Sequence, residues 1–222
     1  MNIERIEENA RLILDTLPKD ITLVVAAKSR TPEEVEAVIS AGVTCVGHNY
    51  VQEAERMILT VGHDVQWHMI GHLQRNKTQK AVRIFDMIET VDSWRLAVKL
   101  DRYCTAFGKI MPVLVEINSG REARKTGVLP EKVDDLVRRL SDLPSIQVQG
   151  LMTMGPRFGN PEDARPYFRA TRTAFERLAT LNLPNVSMRT LSMGMSNSYL
   201  VAIEEGANMV RIGSQIFGIT AN

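Results

Sequence analysis

Short apolar runs alternate with longer amphipathic stretches along the chain. The first run, Ile21 to Ala27, reads as a strand. A helix start follows at once: Thr31 can cap it, Pro32 suits the first helical position, and Glu34 completes a capping box. Val35, Val38 and Ile39 then repeat at helical spacing, and Gly42 ends the helix. The rhythm continues with strands predicted at 45–47, 65–70, 87–91, 110–117, 146–152, 186–191 and 209–212. Between them fall helices at about 51–59, 76–84, 93–107, 160–181 and 198–205. The clearest helix carries Val133, Leu136, Val137, Leu140 and Leu143 as one apolar stripe among charges. An extra helix precedes the first strand, and a short turn at Ile216–Phe217 stands where an eighth crossover helix would follow.

Strict alternation of strand and helix calls for a parallel sheet with helical crossovers. Eight such units in 222 residues point to an α/β fold of the closed (β/α)8 TIM-barrel type, at the small end of its size range. A doubly wound open sheet is the competing arrangement. It is weakened because the segment after the first strand, AAKSRTPEE, contains no glycine for a dinucleotide loop. No linker, low-complexity stretch or repeat interrupts the pattern, so residues 1–222 read as a single barrel domain.

Composition narrows the function. With 27 Lys+Arg against 26 Asp+Glu the net charge is +1, which supports neither phosphate neutralisation on nucleic acid nor a polybasic membrane patch. The two cysteines, Cys45 and Cys104, form neither a disulfide framework nor a metal cluster. The N-terminus turns acidic early without a long apolar run, and no segment approaches the roughly 18 apolar residues of a membrane span. A soluble, cytoplasmic chain is expected, with no nucleic-acid or membrane partner and no metal.

In a barrel the chemistry lies at the C-terminal strand ends. Lys28 closes the first apolar run, where a lysine stem enclosed by apolar side chains disfavours its ammonium form and frees an amine to attack a carbonyl. The ordinary alternative is a lysine that snorkels to solvent. SMGMS at 192–196 and RIGS at 211–214 read as two small, hydroxyl-rich turns after strands seven and eight, the usual barrel phosphate site. Arg211 shares a strand face with Gly213, so an inward arginine there needs a partner, either a ligand atom or a protein carboxylate. His68 and Glu116 are open to structural or functional readings, and Asn49 and Asn118 are further polar strand ends. A lysine, a phosphate cradle and an inward arginine together suit pyridoxal 5′-phosphate (PLP), an aldehyde with a phosphate and a ring nitrogen. A Schiff-base aldolase would use the lysine and the phosphate without needing Arg211.

Seven segments in order then resemble the YggS/PROSC family of PLP homeostasis proteins. They are VVAAKSR around Lys28, GHNYVQEA at 47–54, WHMIGHLQRNK at 67–77, KTGV at 125–128, GLMTMGP at 150–156, SMGMSNSY at 192–199 and MVRIGSQIFG at 209–218. The resemblance implies a barrel like the N-terminal domain of alanine racemase. It implies that Lys28 holds PLP as an internal aldimine, that Ser192, Gly213 and Ser214 contact the phosphate, that Arg211 bonds the pyridine nitrogen, and that Asn49 and His68 line the ring. A role in PLP and amino-acid homeostasis follows, with PLP-accepting apo-enzymes as partners, a monomeric chain, and little or no catalysis. The alternative is a PLP-dependent amino-acid racemase working as this single domain. Two departures from the family pattern fall at His48, in place of an acidic residue, and at Ser198.

Overall fold

Eight parallel strands alternate with helices in the computed structural model, which describes residues 2–123, 125–156 and 159–218. The strands are β1 (Thr22–Ala26), β2 (Cys45–His48), β3 (Gln66–Met69), β4 (Met87–Val91), β5 (Met111–Ile117), β6 (Ile146–Thr153), β7 (Val186–Met195) and β8 (Met209–Ile212). They hydrogen-bond in chain order, and β8 pairs with β1, so the sheet closes into a barrel. The competing open sheet is thereby excluded.

Helices α1 (Ile3–Thr16), α2 (Pro32–Ser40), α3 (Val51–Val61), α4 (Thr78–Ile84), α5 (Trp94–Ala106), α6 (Val133–Leu140), α7 (Arg165–Ala179), α8 (Tyr199–Glu204) and α9 (Ser214–Phe217) accompany the strands. The start of α2 forms as its sequence predicts. Thr31 Oγ1 accepts the Glu34 N–H at 3.3 Å, and Glu34 Oε2 accepts the Thr31 N–H at 2.9 Å. The apolar stripe of α6 is buried along Val133, Leu136, Val137 and Leu140. Leu143 is buried too, but lies beyond the helix end. The starts of three helices tighten into 3₁₀ turns, at Arg75–Lys77 before α4, at Pro130–Lys132 before α6 and at Pro161–Ala164 before α7. Helix α9 has only four residues, too few to cover the seam between β8 and β1. The extra helix α1 stands beside it, with Asn9 Nδ2 donating to the Ile216 carbonyl at 3.0 Å.

Alternation within each strand makes two cores. Residues turned outward, such as Val25, Val46, Trp67, Ile88, Val113 and Val210, pack under the helices. Residues turned inward form a separate cluster of Val24, Cys45, Ile70, Met87, Leu114, Met152 and Met209. Two strands depart from the sequence reading. β7 continues to Met195 instead of ending at Leu191, because its pairing with β8 shifts register between Ser192 and Met195 around Gly194, whose φ is +88°. SMGMS is therefore mostly strand and not a turn. β6 shifts register against both neighbours between Val148 and Gly150.

Gly150 is required by this second shift. Its φ is +151°, and a Cβ there would stand 1.8 Å from the Thr190 carbonyl oxygen of β7. Gly150→Ala is expected to destabilise the fold by about 3 kcal/mol, the sum of backbone strain and a backbone clash. Urea unfolding would show this as a lower midpoint at an unchanged slope.

Candidate functional site

Inward alternation carries β1 through Thr22, Val24 and Ala26 to Lys28. Val24 is in register with Arg211 of β8, and a Cβ on Gly213 would lie 3.3 Å from the Ala26 Cβ. Arg211 and Gly213 thus lie beside β1, Arg211 below and Gly213 at the rim, where the chain leads on to Lys28. Lys28 itself is exposed, two residues past the end of β1, with Nζ 5.5 Å from the centroid of the Tyr50 ring. The apolar enclosure expected from the run before it does not form, since β1 ends at Ala26 and, after buried Ala27, the chain opens to solvent at Lys28. Ser29, in the left-handed region at φ 57°, turns the chain away, and its N–H donates to Glu53 Oε2 at 3.3 Å.

The barrel floor below the rim is polar and closed. Arg211 is only 4 % exposed and donates through Nη2 to the Thr153 carbonyl at 2.8 Å and through Nη1 to Ser192 Oγ. Ser192 Oγ donates its one proton to Glu89 Oε2 at 2.7 Å. Glu89 Oε1 meets His68 Nδ1 at 2.8 Å, and its other oxygen lies 3.9 Å from Arg211 Nη1. Glu89 is fully buried. Burial pushes its carboxyl up, but the His68 hydrogen bond, the charges of His68 and Arg211 and the Ser192 hydroxyl outweigh that and hold it below the ordinary value. The inward arginine therefore has a protein carboxylate as partner.

Glu116 resolves inward as well, on the face of Leu114. Its Oε1 accepts from Thr126 Oγ1 at 2.7 Å, while Oε2 is buried with no partner among the described residues. Burial, with Asp92 adding to it against the Thr126 bond, raises this carboxyl above its ordinary value. Asn118 is spent on structure, holding its loop through the Glu122 N–H at 3.0 Å and the Glu122 carbonyl at 2.8 Å.

The rim after β7 and β8 is built from Ser196, Gly213, Ser214 and Gln215. Ser196 Oγ accepts the N–H of Gly213 at 3.2 Å and of Gln215 at 3.5 Å, and the Ser196 carbonyl accepts from Gln215 Nε2 at 2.8 Å. Ser214 is exposed. Ser192 lies beneath this turn, wholly buried in the floor, with its proton directed at Glu89. Asn49 is half-buried on the inward register of β2, with Gly71 pressed against its backbone. The structure therefore brings Lys28, Asn49, Gly213 and Ser214 to the rim, and His68, Ser192 and Arg211 to the floor. Glu89, in the run MIETV, escapes sequence reasoning: a single acid in a strand carries no mark of the face it will take. A cleft of about 770 Å³ opens between the segments after β3 and β4, lined by His72, Arg75, Asp92, Arg95 and Lys99 among others. None of the residues singled out above as cofactor contacts lines it. Among the described residues, no group of His, Cys, Asp or Glu is placed to hold a metal ion, and no helix is long and apolar enough to cross a membrane.

The two departures fall outside this constellation. Ser198 is buried at the head of α8, where its Oγ accepts the Met195 N–H at 3.4 Å. His48 faces away from the barrel interior, stacked on Trp67 with ring centroids 5.8 Å apart.

A parallel barrel with a lysine at its mouth, a hydroxyl-rich turn after its last two strands and a buried arginine beneath defines a protein of the alanine racemase barrel class. The profile of the family described as "Alanine racemase, N-terminal domain" matches residues 1–221. Over 197 residues the chain is 39% identical to the pyridoxal phosphate homeostasis protein of Aquifex aeolicus, covering 88% of this chain and 86% of that one. The structure of PipY from Synechococcus elongatus with PLP bound superimposes with a TM-score of 0.87 at 32% identity, covering 96% of this chain and 100% of PipY. An alanine racemase of Clostridium difficile shares the fold, with a TM-score of 0.83 at 16% identity over 99% of this chain and 58% of the racemase. The chain belongs to the alanine racemase N-terminal domain family, in its YggS/PROSC branch of pyridoxal phosphate homeostasis proteins.

His48 generates a prediction. Neither of its ring nitrogens has a partner among the described residues, and burial lowers its pKa from 6.5 to about 4. The unfolded chain binds this proton more readily than the folded one, so stability is lost as pH falls from about 6.5 toward about 4. At pH 5 the loss is about 2 kcal/mol, from roughly 1.4 kcal/mol per pH unit. His48→Phe keeps the stacking and is expected to remove this acid sensitivity. The check is the chemical-denaturation midpoint of both proteins at pH 5 and pH 7.5; an equal drop in both would overturn it.

Proposed function

We propose that this chain is a cytoplasmic PLP carrier of the homeostasis type, holding the cofactor covalently through Lys28 at the barrel mouth. One observation supports the reading: β1 pairs with β8, Val24 opposite Arg211 and Ala26 against Gly213, and Lys28 follows two residues beyond the end of β1. The chain fits the cofactor. Gly213 has no side chain to fill the rim, and the N–H groups of Gly213 and Gln215 converge on one point at Ser196 Oγ, with Ser214 beside them. Such a convergence suits a phosphate. Asn49 and His68 lie where they can border the ring. Arg211 is held from below by Ser192 and the Thr153 carbonyl, and each terminal nitrogen keeps a second N–H for the ring nitrogen.

Bound there, PLP supplies an aldehyde carbon for the amine and a ring that can take up electrons. Arginine does not give up its proton, so it acts on the ring nitrogen only as a donor and disfavours protonation of that nitrogen. The ring is then a weak electron sink, which supports storage and delivery over racemisation. Ser192 enters this reading as the support of Arg211, since its proton already serves Glu89. PLP-accepting apo-enzymes are the recipients such a carrier implies. The two free cysteines, both buried, suit a reducing compartment.

The test is direct. Mixing the protein with PLP is expected to produce a visible absorbance band that borohydride abolishes, with the pyridoxyl group recovered on the peptide containing Lys28. Lys28→Ala should lose both signals while keeping its melting temperature, because the side chain is exposed. A label on Lys77 or Lys125 instead overturns the assignment. Racemase assays with the loaded protein are expected to show little or no turnover, and robust turnover would favour the racemase alternative.

A further inference from the structure

The floor of the barrel contains a carboxylate, Glu89, that neither the motifs nor the cofactor reading employs and that is hydrogen-bonded or ion-paired with three of the predicted site residues. Glu89 stands on the inward face of β4, two residues above Met87 of the apolar inner cluster. Its two oxygens point to opposite sides of the barrel: Oε1 to His68 on β3 and Oε2 to Ser192 on β7. An ionised carboxylate only accepts hydrogen bonds. Both neighbours must therefore donate to it, which fixes two protons. Ser192 spends its hydroxyl proton on Glu89, leaving Oγ lone pairs to accept from Arg211. His68 must carry a proton on Nδ1, leaving Nε2 as the ring nitrogen available to the mouth.

We propose that Glu89 is the positioning residue of the cofactor site: through Ser192 it aims the Arg211 guanidinium, and through Nδ1 it sets which nitrogen of His68 meets the ring. The proposal rests on the reading that PLP lies above Arg211. It adds that the polarity offered to the ring originates in an acid that does not touch it. Charge and geometry agree. Glu89 and Arg211 are both enclosed, 3.9 Å apart, and each would be an uncompensated buried charge without the other. Glu116, the remaining inward acid of the floor, cannot substitute, because its oxygens meet Thr126 on one side and no described partner on the other.

The experiment uses nitrogen-15 NMR of the histidine rings in the full-length protein, first without PLP. His68 is expected to show a protonated Nδ1. Glu89→Gln preserves the shape but offers one acceptor and one donor where two acceptors stood. Ser192 Oγ already accepts from Arg211 and its proton needs an acceptor, so Ser192 takes the amide oxygen and the NH2 turns toward His68, whose Nδ1 should then lose the protonated signal. Ser192→Ala also removes one floor hydrogen bond but leaves the carboxylate on His68, so the Nδ1 signal should stay; general loosening of the floor would move it in both variants. With PLP added, Glu89→Gln should shift the absorbance band and weaken retention roughly tenfold, the scale of one lost hydrogen bond to a charged group. The proposal is overturned if wild-type His68 shows a bare Nδ1, a result that needs no variant to fold. It is equally overturned if folded Glu89→Gln keeps both the protonated Nδ1 and the wild-type spectrum. A wild-type protein that forms no borohydride-trapped lysine adduct would sink the PLP reading alone, since the His68 signal without PLP still reports on Glu89.

Discussion

Closing a parallel sheet into a barrel turns every second strand residue toward a space that holds side chains and little water. A charge placed there must find its counterpart within that space, because an enclosed unpaired charge costs several kcal/mol. Val24, Leu114, Met152 and Met209 meet the constraint by being apolar. His68, Glu89, Ser192 and Arg211 meet it by bonding one another, with the Thr153 carbonyl taking one more guanidinium proton. Once Arg211 is committed to the interior of β8, an acid must arrive from another strand, and the donors around that acid are then ordered. One buried cation thereby links β3, β4, β6, β7 and β8 across the lumen.

The same constraint divides the site into a floor and a rim with different physics. The floor is enclosed, and His68, Glu89, Ser192 and Arg211 are bonded in one chain, so the direction of each proton along it is determined by its neighbours. The rim has converging N–H groups, an exposed amine and hydroxyls that can exchange partners with water. A cofactor carrier needs both. In the proposed role, a fixed donor under the ring would hold its electronic state, while an accessible lysine would allow the covalent link to form and to be released. Neither requires a general base beside the substrate carbon, which is what a racemase needs in addition.

His48 shows what the constraint does not police. It lies on the outward register of β2, between the sheet and the helices, where most neighbours are apolar. An imidazole there stacks well on Trp67 but has no hydrogen-bond partner among the described residues. The residue is tolerated because neutral imidazole is cheaper to bury than a charge, and the consequence appears as acid sensitivity, not as chemistry at the mouth.

Most of the fold was legible from period alone. Seven of the strands and the long helices end within a few residues of where the apolar runs and caps place them, since a parallel barrel buries both faces of each strand and writes that burial as continuous apolar sequence. The continuation of β7 through SMGMS was not, because a register shift depends on the neighbouring strand and Ser-Gly composition is equally that of a turn. At the candidate site, residue type and motif singled out Lys28, Arg211 and the turn at Gly213 and Ser214, which the fold gathers at one end of the barrel. Chain order could not say that Lys28 would stand in solvent, that Ser192 would lie in the floor, or that Glu89 would be the partner of Arg211. Glu89 and Arg211 are separated by more than half the chain, and only closure of the sheet brings β4 across the lumen from β8. Local sequence determines which elements form and which way each strand alternates; which side chains then share a dry interior is decided by closure, because hydrogen bonds and charges act over a few ångströms of space and take no account of distance along the chain.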